Sequence, residues 1–386
     1  MEINEEKERW VMTSRGGTGL KDLSDDALLY VSTKLDPESL ILLGCADKQL
    51  CQFVKEEQIW FERCKKWEKE VNLVLWRAKV ESSKALYRLL NSLSRLVGTW
   101  KHQSKSEPRG ELLYITWGNL SVEAWKVVPS AGNIPPHLSD IGRPVTFVKF
   151  FEVVGLRDGS HMVELDSPMD ESVDLVLPFP LPGNSFKLQV YHMSDKVLTR
   201  DEAGDGGPRG HSFGKKLWSV ARQYFGFSFC PVEGRRYTQS RVYNRLTFDE
   251  PQPGQELAGL WHGFYGAHGC EVVTVSYTEE GLILGTKVLG DVNVPAGVVT
   301  FKAYISTESA RRLYGKFYTG KGRIADETYM NPQWVDGVLV TLAGGAFLFH
   351  WRPLFSSITF HRLELEALFR SQRESEANRC TSKADS

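Results

Sequence analysis

The sequence predicts an α+β chain: an N-terminal helical module followed by a mainly β, barrel-like domain with flanking helices. Three observations carry this. From Leu23 to about Asn91 apolar residues recur three or four apart, the period of a helix, with no strand-like alternation. At Leu96 the texture changes to short β-branched and aromatic runs punctuated by Gly and Pro, the signature of many short strands. At 386 residues, 41% of them hydrophobic, the chain can bury more than one core.

Residues 1–19 are charged and then Gly-rich, a composition that cannot repay its ordering entropy, so a flexible arm is expected there. The first helix is well marked: Ser24 is a candidate cap, Asp25 and Asp26 suit its positive end, and Leu23 with Leu28 stand at the spacing of a hydrophobic staple. Asp36-Pro37-Glu38 repeats the device, with Pro37 at the first helical position, where its missing N–H costs nothing. A longer helical stretch over 60–93 carries Trp60, Cys64, Trp67, Val71 and Leu75. Strands are expected at 97–102, 111–117, 122–128, 145–154, 161–165 and 186–191. A second set is expected at 260–265, 271–277, 282–289, 298–304, 337–342, 347–351 and 357–363. Between the sets, 215–225 reads as an amphipathic helix with Leu217, Val220 and Tyr224 on one face and Gly226 as its stop. Gly98-Thr99-Trp100 and Gly259-Leu260-Trp261 form a short internal echo, compatible with two sheets, two small barrels or one larger barrel. Residues 370–386 are polar and read as a disordered tail.

Composition excludes several classes. With 47 basic against 48 acidic residues the chain lacks the basic excess of a general nucleic-acid or membrane-surface binder. The six cysteines, at 45, 51, 64, 230, 270 and 380, include no CxxC pair, so reduced thiols are expected and neither metal nor cofactor is. The polar start MEINEEKERW lacks a secretory pattern, and no apolar run approaches the roughly 18 residues of a membrane span. The expected location is therefore cytoplasmic, nuclear or both. No catalytic residue is assigned. Gly210-His211-Ser212-Phe213-Gly214 fits a nucleophile elbow, but a polar loop precedes it where a buried strand is needed. Residues 315–321 fit the first seven positions of a phosphate loop, but Gly322 stands where a magnesium-binding hydroxyl belongs.

The segment from Leu23 to Cys64 resembles the F-box. Leu23, Asp25-Asp26 and Leu28 match its opening, Leu35-Asp36-Pro37 with Leu40 and Leu43 its middle, and Ile59-Trp60-Phe61 its close, while Ser24 replaces the usual proline. The resemblance implies docking on the Skp adaptor, and through it on cullin, by Leu23, Leu28, Pro37, Leu40, Leu43, Ile59 and Trp60. The domains then read as a 1–19 arm, a 20–68 F-box, a 69–95 helical linker, a 96–369 β-rich substrate-binding domain and a 370–386 tail.

Downstream, GLWHGFYGAHGCEVVTVSY, GTKVLGDVNVPAG and YGKFYTGKGRIADETYMNPQWVDGVLV occur in the order seen in the F-box family whose β-barrel-like substrate domain, in a vertebrate member, recruits a cyclin. The long low-complexity insertion of that relative, between the second and third segments, is missing here, and cyclin recruitment is not implied. The resemblance implies a non-catalytic substrate receptor of a ubiquitin ligase that binds an unidentified protein target. Trp261, Tyr265, His268, Lys287 and Asp291 are candidates to line its groove at the strand ends. The alternative is a lipocalin-like small-ligand carrier, supported by the Gly-x-Trp strand openings and requiring an apolar cavity.

Overall fold

A computed structural model describes residue 20 and residues 23–104, 107–130, 143–165, 171–180, 186–194, 236–248, 252–305 and 315–384. The chain divides into two compact units, one of Met1–Asn91 with Leu156–Ser160, the other of Ser92–Gly155 with His161–Ser386.

The first unit is helical: α1 (Asp25–Lys34), α2 (Pro37–Ala46), α3 (Lys48–Phe53), α4 (Glu57–Cys64), α5 (Leu73–Lys79) and α6 (Ser83–Leu93), the last running into the second unit. The caps fall where the sequence places them. Ser24 Oγ accepts from Ala27 N at 3.3 Å, and Asp36 Oδ1 accepts from Ser39 N at 2.9 Å. Two further caps, Asp47 and Asn72, break what periodicity alone reads as longer helices. Leu28, Leu40, Leu50, Phe53, Ile59 and Trp60 form the interior. Trp60 Nε1 donates to Val54 O at 2.8 Å. Arg63 Nη2 donates to Ser32 O and Leu35 O, each at 2.5 Å, so one guanidinium satisfies carbonyls left open where α1 ends.

The second unit holds two eight-stranded antiparallel sheets. The first comprises β1 (Gly98–Ser104), β2 (Glu107–Trp117), β3 (Ser121–Pro129), β4 (Val145–Gly155), β5 (His161–Leu165), β6 (Glu171–Pro180), β7 (Phe186–Ser194) and β8 (Arg236–Leu246). Its order is β5-β4-β3-β2-β1-β8-β7-β6, so the first strand pairs with the last and the sheet is open between β5 and β6. The second comprises β9 (Gly259–Phe264), β10 (Cys270–Tyr277), β11 (Leu282–Leu289), β12 (Val299–Tyr304), β13 (Phe317–Asp326), β14 (Met330–Thr341), β15 (Phe347–Trp351) and β16 (Ser356–Arg362). It closes into a barrel through β16–β9 pairing.

Trp261, Phe301, Phe347, Phe349 and Phe360 fill the barrel interior, with Phe347 and Phe360 stacked at 4.7 Å between ring centroids. The barrel's own rings thus fill its centre, where the lipocalin-like reading expects an apolar cavity. A second core joins the sheets, where Leu112, Trp125, Val127 and Phe147 meet Leu260, Val272, Val288 and Leu363. The echo noted in the sequence marks equivalent places. Trp100 Nε1 donates to Leu96 O and Trp261 Nε1 to Leu257 O, both at 2.7 Å, and Arg245 and Arg362 lie over the respective rings.

Three strands escape the sequence reading. β6 carries two prolines, which argue against a strand, and a register shift between Val176 and Phe179 accommodates Pro178. β8 is mostly polar. β13 runs through the phosphate-loop-like glycines, whose role is close approach: a Cβ on Gly322 would stand 2.0 Å from Trp351 Nε1, and one on Gly320 2.1 Å from Lys302 O. Gly322→Ala is therefore expected to destabilise the barrel by about 1–3 kcal/mol, read as a lower urea midpoint.

The disordered tail expected from 370 is also corrected. α7 (Leu365–Ala384) continues through it, held where Phe369 packs on Tyr114, Trp125 and Phe147 and where the Gln372 amide bonds both Phe147 N and Phe147 O at 2.9 Å. The expected 215–225 helix and the 210–214 motif lie outside the described residues.

Candidate functional site at the barrel mouth

A cavity of about 510 Å³ opens at one end of the barrel. Four of the five residues expected to line a groove meet there: Tyr265, His268, Lys287 and Asp291. The β9–β10 turn supplies Tyr265 and His268, the end of β11 supplies Lys287, and the loop after it supplies Asp291. Trp261 does not belong to the site. Its inward register places it in the barrel core at 0% exposure, so its assignment as a groove residue is corrected.

The floor is ionic. Lys287, 1% exposed, places Nζ 3.0 Å from Asp291 Oδ2 and 2.5 Å from Glu271 Oε2, the second contact being too poorly aligned for a hydrogen bond. The same ammonium lies 4.7 Å from the Tyr265 ring centre. Asp291 Oδ1 accepts from Asn293 N at 2.8 Å and Val294 N at 2.5 Å, which fixes the loop as an Asx turn. His268 Nδ1, at 3.9 Å from Asp291 Oδ2, is the half-exposed edge of the cluster.

Burial separates the two carboxyls. It pushes Glu271 up to about 9, against the lowering pull of Lys287. Burial also raises Asp291, but the Glu271 carboxyl, the Lys287 ammonium and the Val294 N–H outweigh it and hold Asp291 at about 2. At neutral pH Glu271 therefore keeps its proton while Asp291 is a carboxylate.

Stability follows with two opposite signs. Unfolded Glu271 ionises near 4.5 while the folded group keeps its proton to about 9, so its contribution is full below 4.5 and is lost as pH rises toward 9. Asp291 contributes fully above 3.8 and loses that contribution as pH falls through about 2. Urea unfolding across pH is expected to show wild-type stability declining from pH 5 to pH 9 and Glu271→Gln removing most of that decline. An identical slope in both proteins would refute the assignment.

The sequence reading missed Glu271, Arg323, Asn331 and Gln333. Glu271 had a visible signal, a lone acid in the otherwise apolar strand CEVVTVSY. The other three sit on β13 and β14, where the first strand was missed and the second expected to begin only at 337. The cavity rim includes Asn331, which with Thr328 and Tyr329 of the β13–β14 turn holds left-handed φ, at 47°, 57° and 58° respectively.

Of the seven expected adaptor contacts, Leu28, Leu40, Ile59 and Trp60 are interior residues of the helical unit. Their helical period points them into the unit's own core. Leu23 is exposed, while Pro37 and Leu43 are half-buried. The apolar side chains that α1 and α2 turn to water are Tyr30 at 65%, Ile41 at 46% and Leu42 at 69% exposure.

The fold and cavity define an α+β protein in which residues 259–362 form a closed barrel with a charged mouth, and the Cyclin D1 binding domain matches residues 243–367. Among individual proteins, F-box only protein 31 of Rattus norvegicus is 24% identical over 300 residues, covering 73% of this chain and 55% of its own. EXECUTER 2, chloroplastic, of Arabidopsis thaliana is 36% identical over 137 residues, covering 29% of this chain and 21% of its own. Its counterpart from Oryza sativa subsp. japonica is 30% identical over 135 residues, covering 30% and 21%. The chain thus spans about half the length of the first relative and a fifth of the others. A solved DUF3598-family structure from Nostoc punctiforme covers 71% of this chain and 99% of its own at 12% identity, with a TM-score of 0.16, too low to bear on the fold. No helix among the described residues is long and apolar enough to cross a membrane.

Proposed function

We propose that this chain is the substrate-recognition subunit of a Skp-cullin-F-box ubiquitin ligase. The helices α1–α4 act as the F-box and dock on the Skp adaptor, and the β unit holds a protein target beside the conjugating enzyme so that it is ubiquitinated and degraded by the proteasome. The chain forms no bonds itself; its contribution is effective concentration and orientation. Its place of work is the cytosol or the nucleus.

The observation that carries this reading is the alignment with F-box only protein 31, which runs over 73% of the chain and so extends beyond the barrel that the Cyclin D1 binding domain matches. Tyr30, Ile41 and Leu42 support it, because apolar side chains of this size on short helices gain most when a partner covers them. The barrel supports the other half: a rigid strand frame, a mouth of about 510 Å³ and a polar floor suit a short peptide or chain end better than an apolar small molecule. The test is co-purification of the tagged full chain with the Skp adaptor and cullin. Recovery of neither from cells that express both would sink the reading.

A further inference from the structure

Beside the cavity, the barrel wall formed by β12, β13 and β14 carries a concentration of positive charge. Lys302 of β12 and Lys321 of β13 are direct cross-strand partners, so both side chains leave the same face of the sheet. Like charges in that position destabilise an antiparallel pair. One strand further, Trp334 of β14 pairs with Arg323 of β13. The Arg323 guanidinium lies 4.2 Å, and Lys302 Nζ 4.8 Å, from the Trp334 ring centre. The counter-charge is small: Lys321 Nζ is 3.2 Å from Asp336 Oδ1, but those side chains are 43% and 70% exposed, which makes the pair weak. Among the described residues neither Lys302 nor Arg323 has an ion pair. The Arg323 side chain donates instead to the Tyr329 hydroxyl and leaves its Nε buried without a hydrogen-bond partner. Arg323 also lines the mouth cavity, so the charged face and the cavity are continuous.

We infer that this face, centred on Lys302, Lys321, Arg323 and Trp334, is a docking surface for an acidic segment of the protein held at the barrel mouth. The inference rests on the proposed function for the partner being a protein. Two cations over one indole, a third directly across the strand pair and an exposed carboxylate beside it complement a short run of Asp or Glu: the added carboxylates relieve the lysine–lysine repulsion, and the ring keeps Lys302 and Arg323 partly desolvated. A nucleic acid would need a longer basic track, and a chain of net charge -1 offers no general excess to extend it. The geometry also makes an unusual demand on mutation. Lys302→Glu places opposite charges across the β12–β13 pair, so it strengthens the fold while removing the site.

The experiment is fluorescence anisotropy of a labelled octaglutamate peptide against the full chain, beside octaglutamine and an octathymidylate of the same label. The expected result is octaglutamate binding that weakens as salt is raised and is at least about tenfold tighter than octaglutamine. Lys302→Glu is expected to abolish it while raising the melting temperature, and the doubly reversed Lys34→Glu/Lys48→Glu, with both sites on the helices, is expected to bind as wild type. Unchanged binding in Lys302→Glu overturns the inference, as does equal loss in the helix variant. Tighter binding of octathymidylate than of octaglutamate also overturns it, in favour of a nucleic-acid surface. None of these readings involves the adaptor, so failure here is distinguishable from failure of the ligase reading.

Discussion

Replacing Ile41 and Leu42 together by Glu is expected to abolish capture of the Skp adaptor while the helical unit stays folded. Both side chains are already largely in water, at 46% and 69% exposure, so the folded chain loses little when they become charged. A complex that buries them loses about 1.5–3 kcal/mol for each. It must also desolvate two carboxylates, so affinity should fall by at least about two orders of magnitude. Pull-down with the adaptor, with far-ultraviolet circular dichroism of the same preparation, reads both halves. Leu40→Ala makes the contrast. Leu40 is fully buried, and its truncation should cost the unit about 2–5 kcal/mol of stability, so any lost capture would accompany unfolding. Full capture by the folded Ile41/Leu42 variant would mean that α2 does not face the adaptor.

The second large effect is expected at Lys287. Lys287→Met removes the cation that faces Asp291, which is ionised and only 9% exposed. Breaking a buried pair by removing one partner costs about 3–5 kcal/mol, because the remaining charge stays buried without compensation. Adding Asp291→Asn to that variant should recover a large part of the loss. Urea midpoints of the two single variants and the double variant give the coupling between the residues. A loss below about 1 kcal/mol in Lys287→Met would show that water reaches the floor and that the cluster is not a buried ionic one.

The helical start and much of the barrel were legible because local chemistry decides them. Ser24 and Asp36 announce caps, and β5, β11 and β15 have the bounds their β-branched and aromatic runs suggest. What stayed hidden depends on partners distant in sequence. β13 looks unlike a strand because its glycines answer to Trp351 and Lys302 O on neighbouring strands, and no local propensity reports that need. α7 looks disordered because its polar face is all composition shows, while its anchor, Phe369, depends on three aromatic rings over 200 residues away. The site was half legible: Tyr265, His268, Lys287 and Asp291 stood out in Gly-rich turns and strand ends, whereas Arg323, Asn331 and Gln333 became visible only once β13 and β14 were paired.

The common strand order of the two sheets reaches further than architecture. In the first sheet Trp100 pairs with Leu113 and Leu113 with Lys126. In the barrel Trp261 pairs with Val273 and Val273 with Lys287. Two residues before Leu113 and Val273 stand Glu111 and Glu271, and each lies beside its lysine, at 3.4 Å and 2.5 Å. A tryptophan, a carboxylate, a lysine and an arginine over the indole thus recur at matching positions in the two sheets. The acid–lysine pair of the barrel mouth is 2% and 1% exposed, where its counterpart in the first sheet is 20% and 31% exposed. The surroundings set the two apart: in the barrel the β11–β12 loop adds Asp291 beside the lysine, whereas in the first sheet β8 adds Arg241 beside the acid.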